Sequence, residues 1–251
     1  MQVIFFSLIG GVFSLTGGVI LLAKRSWAAW LVKFATPFAA GALLSAAFVD
    51  LLGEAGHEGN VENALYGALA GILVFFLLER AIHWFHHHKF DSDHKHDLKS
   101  EKIPLIVIGD TVHNFIDGVA IAGAFLVSPA TGIVVTLAVA MHEIPQEIGD
   151  FGLLLSKGMK RKSVLLVNFF SALATVVAAV IFYLIGQNFE IPLDVVLGLT
   201  AGFFIYIAVS DLIPEIHTHE KHRFIGWQSV MLLIGVALVM VATKSLHGII
   251  E

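Results

Sequence analysis

Two short polar clusters interrupt otherwise apolar stretches of this chain: HNFIDG, with His113, Asn114 and Asp117, and HEIPQEIGD, with His142, Glu143, Gln146, Glu147 and Asp150. Imidazoles, amide oxygens and carboxylates gathered in this way are ligands for borderline divalent metals. Ionisable groups at membrane depth are costly, and they mark an ion or substrate path. The chain has no cysteine. Disulfides and thiolate ligands are therefore excluded, and any metal is held by nitrogen and oxygen donors.

The elements that position these clusters follow from composition. Of 251 residues, 57% are hydrophobic and 14% charged, against about 25% charged in ordinary soluble domains. Apolar runs long enough to cross about 30 Å of hydrocarbon as helices fall at 3–23, 34–53, 63–82, 104–127, 131–156, 163–186, 194–214 and 227–247. Strands of a membrane barrel would alternate lipid-facing and lumen-facing residues, whereas the run from Gly71 to Leu78 is continuously apolar. The expected class is an all-α polytopic membrane protein, a single transmembrane domain over residues 1–251 with eight spans. The first run has no basic segment before it and no small-residue cleavage pattern before Lys24, so it reads as a helix rather than a secretory signal.

Basic residues set the orientation, because loops rich in Lys and Arg stay on the cytoplasmic side. Lys24, Arg25 and Lys33 lie between spans 1 and 2, and Arg80, Lys89, Lys95, Lys99 and Lys102 between spans 3 and 4. Lys157, Lys160, Arg161 and Lys162 lie between spans 5 and 6, and Lys221 and Arg223 between spans 7 and 8. Alternate loops thus hold 14 of the 15 basic residues. A multi-pass protein of the cell membrane with both termini extracytoplasmic is expected. At a net charge of -5, the expected partners are metal ions and the lipid bilayer, not nucleic acid.

Span 2 reads AG-ALLSAAFV-DLLGE and span 7 reads AG-FFIYIAVS-DLIPE, with the same spacing from Ala-Gly to Asp and on to Glu. The orientation makes these two copies run in opposite directions, the signature of an inverted repeat. Spans 1–3 and 6–8 form the two repeats and spans 4 and 5 a central insertion, a 3+2+3 arrangement. Asp50 and Glu54 are then expected at the outer mouth of one pathway, and Asp211 and Glu215 at its inner mouth. Gly67-x-x-x-Gly71 and Gly198-x-x-x-Gly202 are small-residue spacings that suit close helix packing inside the molecule.

At about 100° per residue, Asp110, Asn114 and Asp117 fall within roughly 100° of His113, and Glu143, Gln146, Glu147 and Asp150 within roughly 140° of His142. Each set is one stripe. The tight Ser128-Pro129-Ala130-Thr131 turn makes spans 4 and 5 antiparallel, and at 1.5 Å per residue the stripes meet roughly 17 to 24 Å from that turn. Secondary transporters place their substrates at this depth. Pro145 lacks an N–H and so frees the carbonyl of Met141 beside the stripes.

A divalent-metal transporter, an intramembrane metal-dependent hydrolase or protease, and a proton relay could each use such groups. The helical zinc-protease pattern His-Glu-x-x-His is absent, since Gln146 stands at its last position. A proton relay does not need so many ligand-type groups at one level. Transport, with the protein not an enzyme, fits best.

Between spans 3 and 4 a histidine-rich stretch, placed at residues 83–102 as a cytoplasmic loop, holds His83, His86, His87, His88, His94 and His96 interleaved with Asp91, Asp93 and Asp97. Such tracts bind metals weakly and multiply, which suits an acceptor or sensor for ions leaving near Asp211 and Glu215. His217, His219 and His222 add a smaller cluster between spans 7 and 8.

HNFIDGVAIAGAF (113–125), HEIPQEIGDFGLLL (142–155) and TAGFFIYIAVSDLIPE (200–215) resemble the Zrt/Irt-like (ZIP) metal transporters, most of all their LIV-1 branch. The resemblance covers essentially the whole chain. It implies uptake of zinc or the related cadmium, iron or manganese ions into the cytoplasm, the metal being substrate rather than obligatory cofactor. It further implies a binuclear site with ligands at His113, Asn114, Asp117, His142, Glu143 and position 146, homologues that are often dimers, and an elevator-like movement of helices 1, 4, 5 and 6 against 2, 3, 7 and 8. One departure is clear: the LIV-1 pattern has His where this chain has Gln146, so either one metal position is weakened or Glu147 compensates. The large extracellular domain of many LIV-1 members is not seen here, and a bacterial inner-membrane origin is expected.

Overall fold

The computed structural model describes residues 1–88, 103–219 and 226–250. Among these residues every regular element is helical. The helices are α1 (Gln2–Gly10), α2 (Leu15–Ala23), α3 (Arg25–Ser45), α4 (Leu52–Glu58), α5 (Val61–His88), α6 (Ile103–Val127), α7 (Pro129–Ser156), α8 (Arg161–Asn188), α9 (Leu193–Tyr206), α10 (Ile213–His219) and α11 (Trp227–Ile250).

Among the described residues six helical stretches are long and apolar enough to cross a membrane: Gln2–Ala23, Ser26–Gly56, Val61–Ala81, Arg161–Asn188, Leu193–His217 and Trp227–Leu246. The other two long helices, α6 and α7, have 25 and 28 residues and carry the two polar clusters. The outer faces are apolar in the way a lipid-facing surface must be. Leu65, Leu69, Leu73, Phe76 and Leu77 on α5, and Leu233, Leu238 and Val241 on α11, are exposed.

α6 packs between α7 and α8, while α5 lies against α9 and α3 against α11. Small residues make these contacts close. A β-carbon on Gly67 would lie 2.6 Å from the Val195 carbonyl oxygen, and one on Gly71 or Gly202 would strike the Leu199 or Ala68 carbonyl outright. The two Gly-x-x-x-Gly spacings therefore face each other across the α5–α9 seam. Gly118 of α6 stands in the same relation to the Thr175 carbonyl of α8, and Gly17 of α2 to that of Ile144 on α7.

The first span is not one continuous α-helix. A 3-10 turn, Val12–Ser14, separates α1 from α2, beside Gly11, whose missing side chain leaves room for Thr175 and the Ala172 carbonyl. The second begins earlier than its apolar run, at Arg25, because the exposed Trp27 and Trp30 suit a membrane–water interface and prolong the helix there.

Spans 2 and 7 share a structural irregularity as well as a sequence pattern. Each breaks into a six-residue π-helical turn, Ala46–Leu51 and Ile207–Leu212, with Asp50 and Asp211 at matching positions. Turns of this type occur mostly as local bulges, frequently at functional sites.

α5 continues as helix through His88, so His83, His86, His87 and His88 stand on its last turns rather than in a loop. His94, His96 and the three interleaved aspartates lie outside the described residues, as does His222.

Candidate metal centre

The link between α6 and α7 is the single residue Ser128, whose hydroxyl oxygen accepts the Thr131 N–H at 3.1 Å. Pro129 follows in the first turn, where its missing N–H costs nothing. With the turn fixed, the polar stripes of the two helices are brought to one level.

Four side chains converge there. His113 and Asp117 stand one turn apart on α6, and His142 and Glu143 are adjacent on α7. One ligand-type atom from each lies within 4.8 Å of all the others. His113 Nε2 is 3.1 Å from His142 Nε2, 3.3 Å from Glu143 Oε1 and 3.8 Å from Asp117 Oδ2. His142 Nε2 is 3.3 Å from Asp117 Oδ2 and 3.8 Å from Glu143 Oε1. Ligands held 2.0–2.1 Å from a tetrahedral divalent ion stand roughly 3.3 Å from one another, so these spacings suit a common ion.

His142 is fully buried, and its Nδ1 lies 3.1 Å from the Ala138 carbonyl oxygen. A carbonyl only accepts, so neutral His142 carries its proton on Nδ1 and turns the Nε2 lone pair toward the other three groups. His113 meets the Phe75 ring edge-on at 5.8 Å between centroids, and Phe204 flanks His142 at 6.2 Å.

The remaining residues of the two motifs are placed differently. Asn114 is buried, but its amide donates to the Asp110 carbonyl at 3.1 Å and to Asp110 Oδ1 at 3.0 Å. Its oxygen accepts from the Thr175 hydroxyl of α8 at 2.8 Å. It is thus turned to α8 and stands outside the group of four. Gln146 and Asp150 line a cavity below the group. Glu147 is fully buried; neither of its carboxylate oxygens meets a hydrogen-bond donor among the described residues, and its charged neighbours are Glu143, Asp110 and Asp150. So many carboxylates in one desolvated region repel one another when ionised, and a divalent cation offsets that repulsion.

The cavity, of about 540 Å³, runs from His113 and Asp110 past Gln146 and Asp150 to Asp211 and Glu215. In the opposite direction the helices close up. Ile121 on α6, Val135 and Ala138 on α7, and Leu197 and Ala201 on α9 are all fully buried in the apolar core. Asp50 is buried in its π-helical turn, while Asp211 is exposed. The two acidic pairs that match in sequence therefore have different surroundings.

Sequence reasoning missed Glu79 of α5, which lines the same cavity and accepts the Tyr206 hydroxyl at 2.5 Å. Ser210 donates to the Tyr206 carbonyl at 2.8 Å and lies 3.1 Å from Asp211 Oδ1. It missed α8 as well, which supplies Thr175 to Asn114 and sets the Ser171 hydroxyl 3.0 Å from that of Thr111. The signal was present: Asn168, Ser171 and Thr175 recur at helical spacing along one face of an otherwise apolar run.

Residues 102–243, more than half of the chain, match the family model described as "ZIP Zinc transporter". The chain is 32% identical over 237 residues to the zinc transporter ZIP13 of Pongo abelii, covering 85% of this chain and 67% of that protein. It is 37% identical over 158 residues to the mouse zinc transporter ZIP10, covering 58% of this chain and 19% of that protein. With the metal cation symporter ZIP8 of the rat it shares 36% over 125 residues, 50% of this chain and 27% of the other. The match thus spans about a fifth of the length of ZIP10 and a quarter of ZIP8. These relatives are members of the LIV-1 branch that the motifs resemble.

Proposed function

The chain belongs to the ZIP zinc transporter family, and from that premise we propose that it takes divalent metal ions into the cytoplasm through the group formed by His113, Asp117, His142 and Glu143. The observation that carries this reading is the convergence of those four side chains from the two helices that carry the polar motifs, α6 and α7. Zinc and the related cadmium, iron and manganese ions are the substrates that a set of two imidazoles and two carboxylates suits. The matched relatives are transporters rather than enzymes, which disfavours a metal-dependent hydrolase.

The ion enters the group from the outer side and leaves by the cavity past Asp211 and Glu215. The closed core around Ile121, Val135 and Ala201 and the open cavity on the other side support an inward-facing state. Asn114, Gln146 and Glu147 border a second position beside the first, with Glu147 offsetting the weaker ligand at Gln146. Eight spans in a 3+2+3 arrangement, both termini outside the cell membrane, and a homodimer complete the proposed architecture. The matching π-helical turns of spans 2 and 7 support its internal symmetry. In the elevator scheme, α5 and α9 stay with α3 and α11 while α1, α2, α6, α7 and α8 move.

Purified protein in liposomes, offered Zn²⁺, Cd²⁺, Fe²⁺ and Mn²⁺ in turn, tests the reading. Uptake is expected for at least zinc, and its loss in both Asp117→Ala and His142→Ala. Uptake that survives both substitutions would sink the assignment of the site.

A further inference from the structure

Beside the ion cavity lies a second one, of about 470 Å³, between α2, α3, α7, α10 and α11. Its volume is in the range of pockets that bind small molecules, roughly 300–1,000 Å³. Its apolar wall includes Leu21, Ala29, Val32, Ile148 and Ile216, and four polar groups interrupt it: Lys33 and Thr36 of α3, Glu215 of α10 and Gln228 of α11. Thr36 is only 3% exposed, and its hydroxyl meets no hydrogen-bond partner among the described residues. Pro37 has no N–H to offer the Lys33 carbonyl one turn back, which leaves an acceptor beside that donor.

The level of this cleft in the membrane can be read from its rim. Lys33 is exposed, and its ammonium lies 4.9 Å from the Trp227 ring centroid and 5.8 Å from that of Phe34. Lys24 lies 5.0 Å from the ring of Trp27. Tryptophans paired with basic side chains mark the headgroup level of a bilayer, where phosphates stand. An apolar slot that starts at a cation at this level and holds an unpaired hydroxyl deeper in is complementary to an amphiphile with an anionic head, a polar linkage and a tail.

We propose that this cleft binds a membrane phospholipid, with the headgroup phosphate at Lys33, an ester oxygen accepting from the Thr36 hydroxyl, and one acyl chain entering along Val32, Pro37 and Ile148. Val32, Ile148 and Glu215 line both cavities. The acyl chain therefore completes the wall of the ion cavity and closes it sideways against the bilayer.

The test is photolabelling of the whole protein in phosphatidylcholine vesicles containing a trace of a phosphatidylglycerol that carries a diazirine on the first few carbons of one acyl chain, with the labelled residues mapped by mass spectrometry. Labels are expected on Val32, Pro37 or Ile148. They are expected to be lost in Ala29→Trp, which fills the cleft from a position that is already exposed, and in Lys33→Gln, and to return in Lys33→Arg. Labelling of Leu233 and Val241 on the outer face of α11 is expected to stay the same throughout, which shows that the variants are folded and inserted. Cleft residues left unlabelled, or labelled as strongly in Ala29→Trp or Lys33→Gln as in the parent, would overturn the proposal. The readout is independent of ion uptake, so it stands or falls apart from the transport reading.

Discussion

The Nε2 atoms of His113 and His142 stand 3.1 Å apart across the α6–α7 seam, and the Ala138 carbonyl selects the tautomer that points the second of these nitrogens inward. Two imidazole nitrogens this close need a shared proton or a shared cation between them. Replacing either histidine by alanine is expected to weaken zinc binding at least about tenfold, whereas Asn114→Ala and Gln146→Ala, which remove groups outside the set of four, are expected to weaken it less. Isothermal titration of the four purified variants ranks them. An Asn114→Ala loss as large as that of His142→Ala would place the primary site elsewhere on the stripe.

Thr175 holds Asn114 from α8, and Asn114 in turn holds Asp110. In Thr175→Val the asparagine oxygen loses its donor in a buried place, an expected cost of about 1–3 kcal/mol. Thr175→Ser keeps the bond. Thermal unfolding in detergent should therefore separate the two variants, with the valine form melting earlier. Equal melting temperatures would show that the bond contributes nothing to the α6–α8 seam.

The acidic residues along the cavity should act on release rather than on capture. Neutralising Asp211 and Glu215 together, or Glu79 alone, is expected to lower the maximal uptake rate with a smaller change in the apparent KM, because the ion has already been bound when it meets them. Neutralising Asp50 and Glu54 is expected to raise the KM. Initial-rate uptake curves over a range of zinc concentrations distinguish these effects, and the same change in both pairs would contradict two mouths on opposite sides.

Deleting residues 86–96 removes the last residues of α5 together with the histidine-rich segment that follows them. If that segment senses cytoplasmic metal, uptake into vesicles preloaded with zinc should lose its inhibition while uptake into empty vesicles is unchanged. Inhibition that persists unaltered would make the segment a bystander.

Much of this site is legible in the sequence for a physical reason: the polar residues of α6 and α7 would be costly against lipid, so their spacing alone says which face turns inward. His113, Asp117, His142 and Glu143 could be placed on facing stripes from helix arithmetic. Where a side chain on that face finally points is decided by neighbours that arithmetic does not include. Asn114 shares the stripe with His113, yet it turns aside because Thr175, sixty-one residues on, offers it a donor and Asp110 an acceptor. Glu79 was hidden for the opposite reason. Next to Arg80 near the end of an apolar run it passes for an interfacial charge, and only the packing of α5 on α9 brings it to Tyr206 and the cavity. The break between α1 and α2 depended likewise on what Gly11 touches, which no local periodicity records.

The glycine contacts between α5 and α9 invert the usual order of mutational severity. Where large residues fill a core, the gentlest changes are the smallest ones. Here the Gly71 and Gly202 positions face opposing carbonyls with no side-chain layer between the helices, so a single added methyl group has to push the backbones of both helices away from each other. Gly71→Ala or Gly202→Ala is therefore expected to lower the melting temperature more than Leu73→Ala, which trims a much larger side chain from the exposed face of the same α5 helix. The seam that admits the least change is built from the smallest residues, and for that reason it would be overlooked in any search guided by side-chain bulk.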